Sequence, residues 1–114
     1  MTVCRVLIHV SDRDKWRSVL SQVSRLTEAS DVDSLQITII ADAFAGAVCI
    51  ACDRLLRQRM EDCVKEGHRI LACEDSLRSL NMKPENLPDF IQPVPNGVKE
   101  IIQLQDEGCH YIKA

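Results

Sequence analysis

The amino-acid sequence predicts an α/β fold with a mainly parallel five-stranded sheet and helices on both faces. Three observations carry that expectation. Short apolar runs alternate with segments of helical period, in the order βαβαβαβαβ. The first run, "VCRVLIHV" at 3–10, is nearly continuous in apolar residues, as a strand covered on both faces has to be. No internal repeat, linker or low-complexity tract interrupts the 114 residues, which fits a single domain over 1–114.

Each element has its own signal. The strand at 3–10 is expected to be central. Ser11 with Asp14 has the spacing of a capping box, and Trp16, Val19, Leu20, Val23 and Leu26 then recur at the intervals of a first helix. "SLQITIIA" (34–41), rich in β-branched residues, reads as the second strand. "DAFAGAV" leads into helical sequence in which Leu56, Met60, Cys63 and Val64 share one face. Gly67 should end that helix, with Lys65 favourable to the dipole in its last turn. "HRILAC" (68–73) is the third strand. The prolines and polar breakers of "NMKPENLP" predict a turn or short helical piece before the fourth strand, "FIQPVP" (90–95). Pro93 asks of that strand an edge position or an early end. Gly97 opens a last helix carrying Val98, Ile101 and Ile102, and Gly108 closes it before a short terminal strand, "CHYIKA". Parallel strands joined by right-handed crossovers then place helices on both faces.

Composition narrows the function classes. The apolar fraction of 46% and charged fraction of 27% are those of an ordered globular domain. A net charge of -3, with no run of Lys or Arg, gives no electrostatic footprint for nucleic acid or anionic lipid. The apolar stretch at the amino end lacks a small-residue cleavage site and falls far short of the roughly 18 residues of a membrane span. A cytoplasmic protein is expected, with neither nucleic acid nor membrane as partner, and with its six cysteines as free thiols.

In open parallel sheets, ligands bind beyond the carboxyl ends of the strands. The residues just after the strands are His9, Asp42, Cys73 and the Asn96-Gly97 pair. Cys73 stands at the start of a helical turn, where unpaired N–H groups favour an anion. Glu74 and Asp75 oppose that effect, and Arg78, one turn on, has the spacing to pair with either. Two readings of Cys73 stay open: a reactive thiol, or a small buried side chain. His9 reads first as a core histidine and second as a proton-transfer group, and Asp42 first as a helix cap and second as a ligand contact. "CIAC" (49–52) has a redox-like spacing, but no second cysteine pair follows and the histidines at 9, 68 and 110 are isolated. No metal site is predicted, and two cysteines three apart in a helical segment pack on one face. Cys4 and Cys63 fall on apolar faces, while Cys109 begins the terminal strand. No nucleotide-binding or hydrolase motif is present, and no cofactor is implied.

The order and spacing of three segments resemble the DsrE/DsrF-like family, in particular its small stand-alone sulfur-transfer domains. These are "VLIHVSDRDKW", "LACEDSLRSLNM" and "VPNGVKEIIQLQDEGCHYIKA". The resemblance implies a three-layer α/β/α domain, homo-oligomeric, in which Cys73 carries sulfane sulfur as a persulfide. A sulfur donor or acceptor protein is then the partner, and the protein is a sulfurtransferase or a sulfur carrier. His9, Asp42, Asp75, Arg78, Asn96 and Gly97 are the expected binding or supporting residues around Cys73. The alternative is an oligomeric or small-ligand-binding module of the same fold with Cys73 structural. The chain departs from the family pattern at Asp75, where an Asn is frequent, at Gln22 and Arg25 in the first helix, and at Cys109, where an aromatic is common.

Overall fold

The computed structural model describes residues 4–29 and 35–114. Val3 and Ser34, the expected first residues of two strands, lie outside them. The described residues form β1 (Cys4–Val10), α1 (Trp16–Ala29), β2 (Leu35–Ala41), α2 (Ala43–Ile50), α3 (Arg54–Lys65), β3 (Arg69–Cys73), α4 (Glu74–Ser79), β4 (Ile91–Val94), α5 (Gly97–Asp106) and β5 (His110–Lys113). Short 3₁₀ turns precede α1 (Arg13–Lys15) and β4 (Pro84–Asn86).

The strands pair in the order β4-β3-β2-β1-β5, and all four pairings are parallel. That order explains how the helices divide. From β1 to β4 the chain steps across the sheet in one direction, so right-handed crossovers deliver α1, α2, α3 and α4 to one face. The return from β4 to β5 reverses the step and delivers α5 to the other. The two cores follow this division. Val6, Ile8, Ile37, Ile39 and Ile70 pack with Trp16, Leu20, Met60 and Leu77 on one side; Leu7, Ile40, Leu71 and Val94 pack with Ile101 and Leu104 of α5 on the other. The continuous apolar character of β1 and β2 is thus accounted for, since both of their faces are covered. β4 is the edge strand that Pro93 requires, and it stops at Val94. Gly67 and Gly108 follow their helices with φ of +101° and +96°, conformations that a residue with a Cβ rarely adopts.

Two local expectations are corrected. Ser11 and Asp14 form no capping box: the turn before α1 starts at Asp12 without a side-chain cap, and the Ser11 hydroxyl donates to Asp42 instead. The segment containing "CIAC" is not one helix. α2 ends at Ile50, and α3 starts afresh because Asp53 caps it, accepting from the Leu56 N–H at 2.8 Å. Cys52 therefore lies in the break and shares no helical face with Cys49. No helix among the described residues is long and apolar enough to cross a membrane.

Candidate functional site

β3 and β4 are neighbours, yet the helices that follow them go to opposite faces of the sheet. A crevice opens where the two connections part, at the carboxyl ends of these strands. Cys73 is the last residue of β3, and Gly97 is the first of α5. The Cys73 sulfur accepts two backbone hydrogen bonds, from Gly97 N–H at 3.3 Å and from Ser76 N–H at 3.4 Å. A thiol sulfur thus serves here as the acceptor at two helix starts. Glycine at 97 permits the approach: a Cβ there would stand 3.3 Å from Cys73 Cβ and 3.4 Å from Ile40 Cγ2. Cys73 is 5% exposed and lines a cleft of about 390 Å³ together with Asp42, Asp75, Asn96, Gly97 and Val98. Ala43, in the same lining, sits at φ +48°, uncommon for any residue but glycine.

The starts of α4 and α5 are tied to each other. Asn96 caps α5 through its side-chain oxygen, which accepts from Lys99 N–H at 2.9 Å, and its amide donates to the Asp75 carboxylate at 3.1 Å. The Asp75 N–H in turn donates to Pro95 O at 3.3 Å. Asp75 is thereby a strut between the two helix starts. Arg78 pairs with Glu74 at 3.5 Å, an exposed i,i+4 pair, and does not line the cleft.

His9 belongs to a polar network beside the cleft. Its Nε2 is 2.9 Å from Asp42 Oδ2 and its Nδ1 is 3.0 Å from the Tyr111 hydroxyl. The carboxylate can only accept, so Nε2 carries a proton; in the neutral imidazole Nδ1 then accepts from the Tyr111 O–H. The Ser11 hydroxyl donates to the second Asp42 oxygen and accepts from Lys113 Nζ at 2.8 Å. Asp42 occupies the N-cap position of α2 without capping it, because its carboxylate is taken by His9 and Ser11. Sequence reasoning missed Ser11, Tyr111, Lys113 and Ser76. The first three meet only because β5 pairs with β1, aligning Tyr111 with Leu7 and Lys113 with His9. No local pattern announces that pairing.

The other thiols are differently placed. Cys49 is buried, donates toward Ala45 O at 3.7 Å, and has its thiol pushed up by burial and then by the neighbouring Cys52. Burial pushes Cys63 up to about 11, with Glu66 adding to it. Cys52 is also raised, by burial and then by Asp53, with Arg57 opposing. Cys4 and Cys109 are half-buried. Among the described residues no group of three or more His, Cys, Asp or Glu side chains is arranged to hold a metal ion.

The DsrE/DsrF-like family model matches residues 20–114, which include Cys73 and both helix starts around it. The chain belongs to the DsrE/DsrF-like family. It is therefore a domain of a sulfur-transfer-related group. Among solved structures, it is similar to MTH1491, a protein of unknown function from Methanobacterium thermoautotrophicum, at 26% identity and a TM-score of 0.86. That match covers 97% of this chain and 99% of that one. BT1422, a conserved protein of unknown function from Bacteroides thetaiotaomicron, shares the fold at 10% identity and a TM-score of 0.71, covering 96% and 94%. The ychN protein of E. coli does so at 11% identity and a TM-score of 0.68, over the whole of both chains. No functionally curated protein matches the chain.

Proposed function

We propose that this DsrE/DsrF-like protein is a cytoplasmic sulfur carrier or sulfurtransferase in which Cys73 accepts and releases sulfane sulfur. The observation that carries the proposal is the convergence of the Gly97 and Ser76 N–H groups on Cys73 Sγ within the switch-point cleft. N–H dipoles aimed at sulfur stabilise negative charge as it develops there. The thiolate attacks the outer sulfur of a donor R–S–SH. The donor S–S bond breaks, its electron pair leaves with R–S⁻, and the outer sulfur stays with its hydrogen on Cys73 as Cys73–S–SH. His9, held on Asp42 at 2.9 Å, is the candidate orienting or proton-transfer group beside the cleft, while Asp75, Asn96 and Gly97 hold the helix starts in register. The partners are a donor and an acceptor of sulfur and further copies of the same chain, which complete the surface around the cleft.

The test is incubation with an organic persulfide, followed by the mass of the Cys73 peptide. One added sulfur, held selectively at Cys73 and released by a thiol, is the expected result. No adduct at Cys73, or equal adducts on every cysteine, would overturn the proposal.

The 5% exposure of Cys73 favours a second reading, in which the thiol is a structural acceptor tying α4 to α5 and the cleft binds a small ligand without covalent chemistry. Under it, Cys73 reacts with a small alkylating agent no faster than the same cysteine in the unfolded chain.

A further inference from the structure

The lining of the Cys73 cleft has a one-sided charge. It carries two carboxylates, Asp42 and Asp75, and among the described residues no Lys, Arg or His. Three cations of neighbouring elements have partners of their own. Arg78 is paired with Glu74. Arg13 lies over the Phe44 ring at 5.7 Å and lines the neighbouring depressions instead. Lys113 reaches Ser11, so it offsets part of the charge on Asp42. The Asp75 carboxylate has only the neutral Asn96 amide as its hydrogen-bond donor among the described residues. The cleft rim adds apolar surface, since Phe44 is 54% and Val98 56% exposed. A small, strongly hydrated anion such as thiosulfate would find no cation in that lining, only the neutral Ser76, Ser79 and Asn96 side chains among two like charges and apolar surface; the Gly97 and Ser76 N–H groups are already directed at the Cys73 sulfur.

Resting on the sulfur-carrier reading, we infer that the cleft selects an organic persulfide that is neutral or cationic around its sulfur and turns away anionic donors. Like charges disfavour the encounter with an anionic donor before any bond changes. The same field applies to any reagent that attacks the Cys73 sulfur, so it can be read without assuming sulfur transfer.

The experiment compares two methanethiosulfonate reagents of similar size on the whole protein at low ionic strength, one ending in trimethylammonium and the other in sulfonate. Each thiolate displaces methanesulfinate and forms a mixed disulfide, which is followed on the Cys73 peptide by mass. The ratio of the two rates is divided by the ratio for the urea-unfolded chain. A corrected ratio of about fivefold in favour of the cation is expected, shrinking with added salt. In Asp75→Asn, whose amide oxygen still accepts from Asn96, the ratio should fall toward one. A ratio at or below one, or one that Asp75→Asn leaves unchanged, overturns the inference. Charge selection without any sulfur uptake from persulfides overturns the sulfur-carrier reading and leaves the selectivity standing. Labelling by neither reagent in the folded protein, with labelling in urea, overturns both.

Discussion

Cys49 and Cys73 are buried to nearly the same degree, at 2% and 5% exposure, yet their sulfurs face opposite polarity. Cys49 lies within α2 and donates toward the Ala45 carbonyl, an acceptor that calls for a proton on sulfur. Cys73 lies between a strand and a helix and receives N–H groups from Ser76 and Gly97, donors that call for a lone pair. Burial alone therefore does not distinguish the two sites. What separates them is whether the backbone presents oxygen or N–H, and that follows from whether the cysteine sits inside a helix or at its start.

The largest test of this comparison is substitution of each thiol. Cys73→Ser should abolish sulfur uptake from a persulfide donor, as measured by intact mass. Cys49→Ala should leave uptake at the wild-type level and cost about 1 kcal/mol in urea unfolding, the loss of one small buried group. Uptake that survives Cys73→Ser and vanishes in Cys49→Ala would break the comparison outright.

Two glycines test the geometry that brings N–H to sulfur. Gly97→Ala puts a methyl 3.3 Å from Cys73 Cβ, 3.4 Å from Ile40 Cγ2 and 3.7 Å from the Cys73 sulfur, all on buried side chains. The start of α5 must then shift, at a cost of about 1–3 kcal/mol, and sulfur uptake should slow with it. Gly46, inside α2, is the control. A Cβ there would be 3.6 Å from Ala41 O and 3.7 Å from Leu77 Cδ2, ordinary contact. Gly46→Ala should therefore be neutral or stabilise by up to about 1 kcal/mol through helix propensity, with uptake unchanged. Denaturant midpoints and uptake rates of the two variants check both expectations.

How far the site could be read from the sequence depended on the range of the interactions. The parallel α/β arrangement was legible because apolar runs and helical periods are local, and Pro93 marked its strand as an edge. His9, Asp42, Cys73, Asn96 and Gly97 were identified as strand-end residues; the structure brings the last four to one cleft and sets His9 beside it, on Asp42. Strand order was not legible, and with it went the switch point between β3 and β4 and the β1–β5 pairing that gives His9 its Tyr111 partner. The role of Asp42 went the same way. Its position predicts a cap, but the parallel pairing of β1 with β2 sets His9 and Ser11 within reach of its carboxylate. Arg78 was grouped with the site through its spacing from Glu74 and Asp75; it does pair with Glu74, but on the surface and outside the cleft lining.

The smallest test asks whether the rule drawn from Cys73, that a buried N–H fixes the state of the acceptor it faces, holds elsewhere in the molecule. His68 is 3% exposed, and its Nδ1 accepts from Ile37 N–H at 3.0 Å. Its Nε2 then carries the proton, toward Thr27 Oγ1 at 3.4 Å, and that hydroxyl donates onward to Val23 O at 2.8 Å. Protonating Nδ1 would turn an acceptor into a donor facing a donor. Burial accordingly holds the His68 imidazole below the ordinary histidine value of 6.5, with Glu66 opposing more weakly. The unfolded chain therefore binds the proton at a higher pH than the folded one. This contribution to stability is complete above about pH 6.5 and is lost as the pH falls through the lower folded value, at no more than about 1.4 kcal/mol per pH unit. Urea midpoints between pH 8 and pH 5 should show the decline in the wild type. His68→Asn, whose amide oxygen accepts the Ile37 N–H and does not titrate, should flatten it even if the variant is less stable overall. An unchanged slope in that variant would mean that other groups carry the acid sensitivity, and that the N–H rule does not extend beyond Cys73.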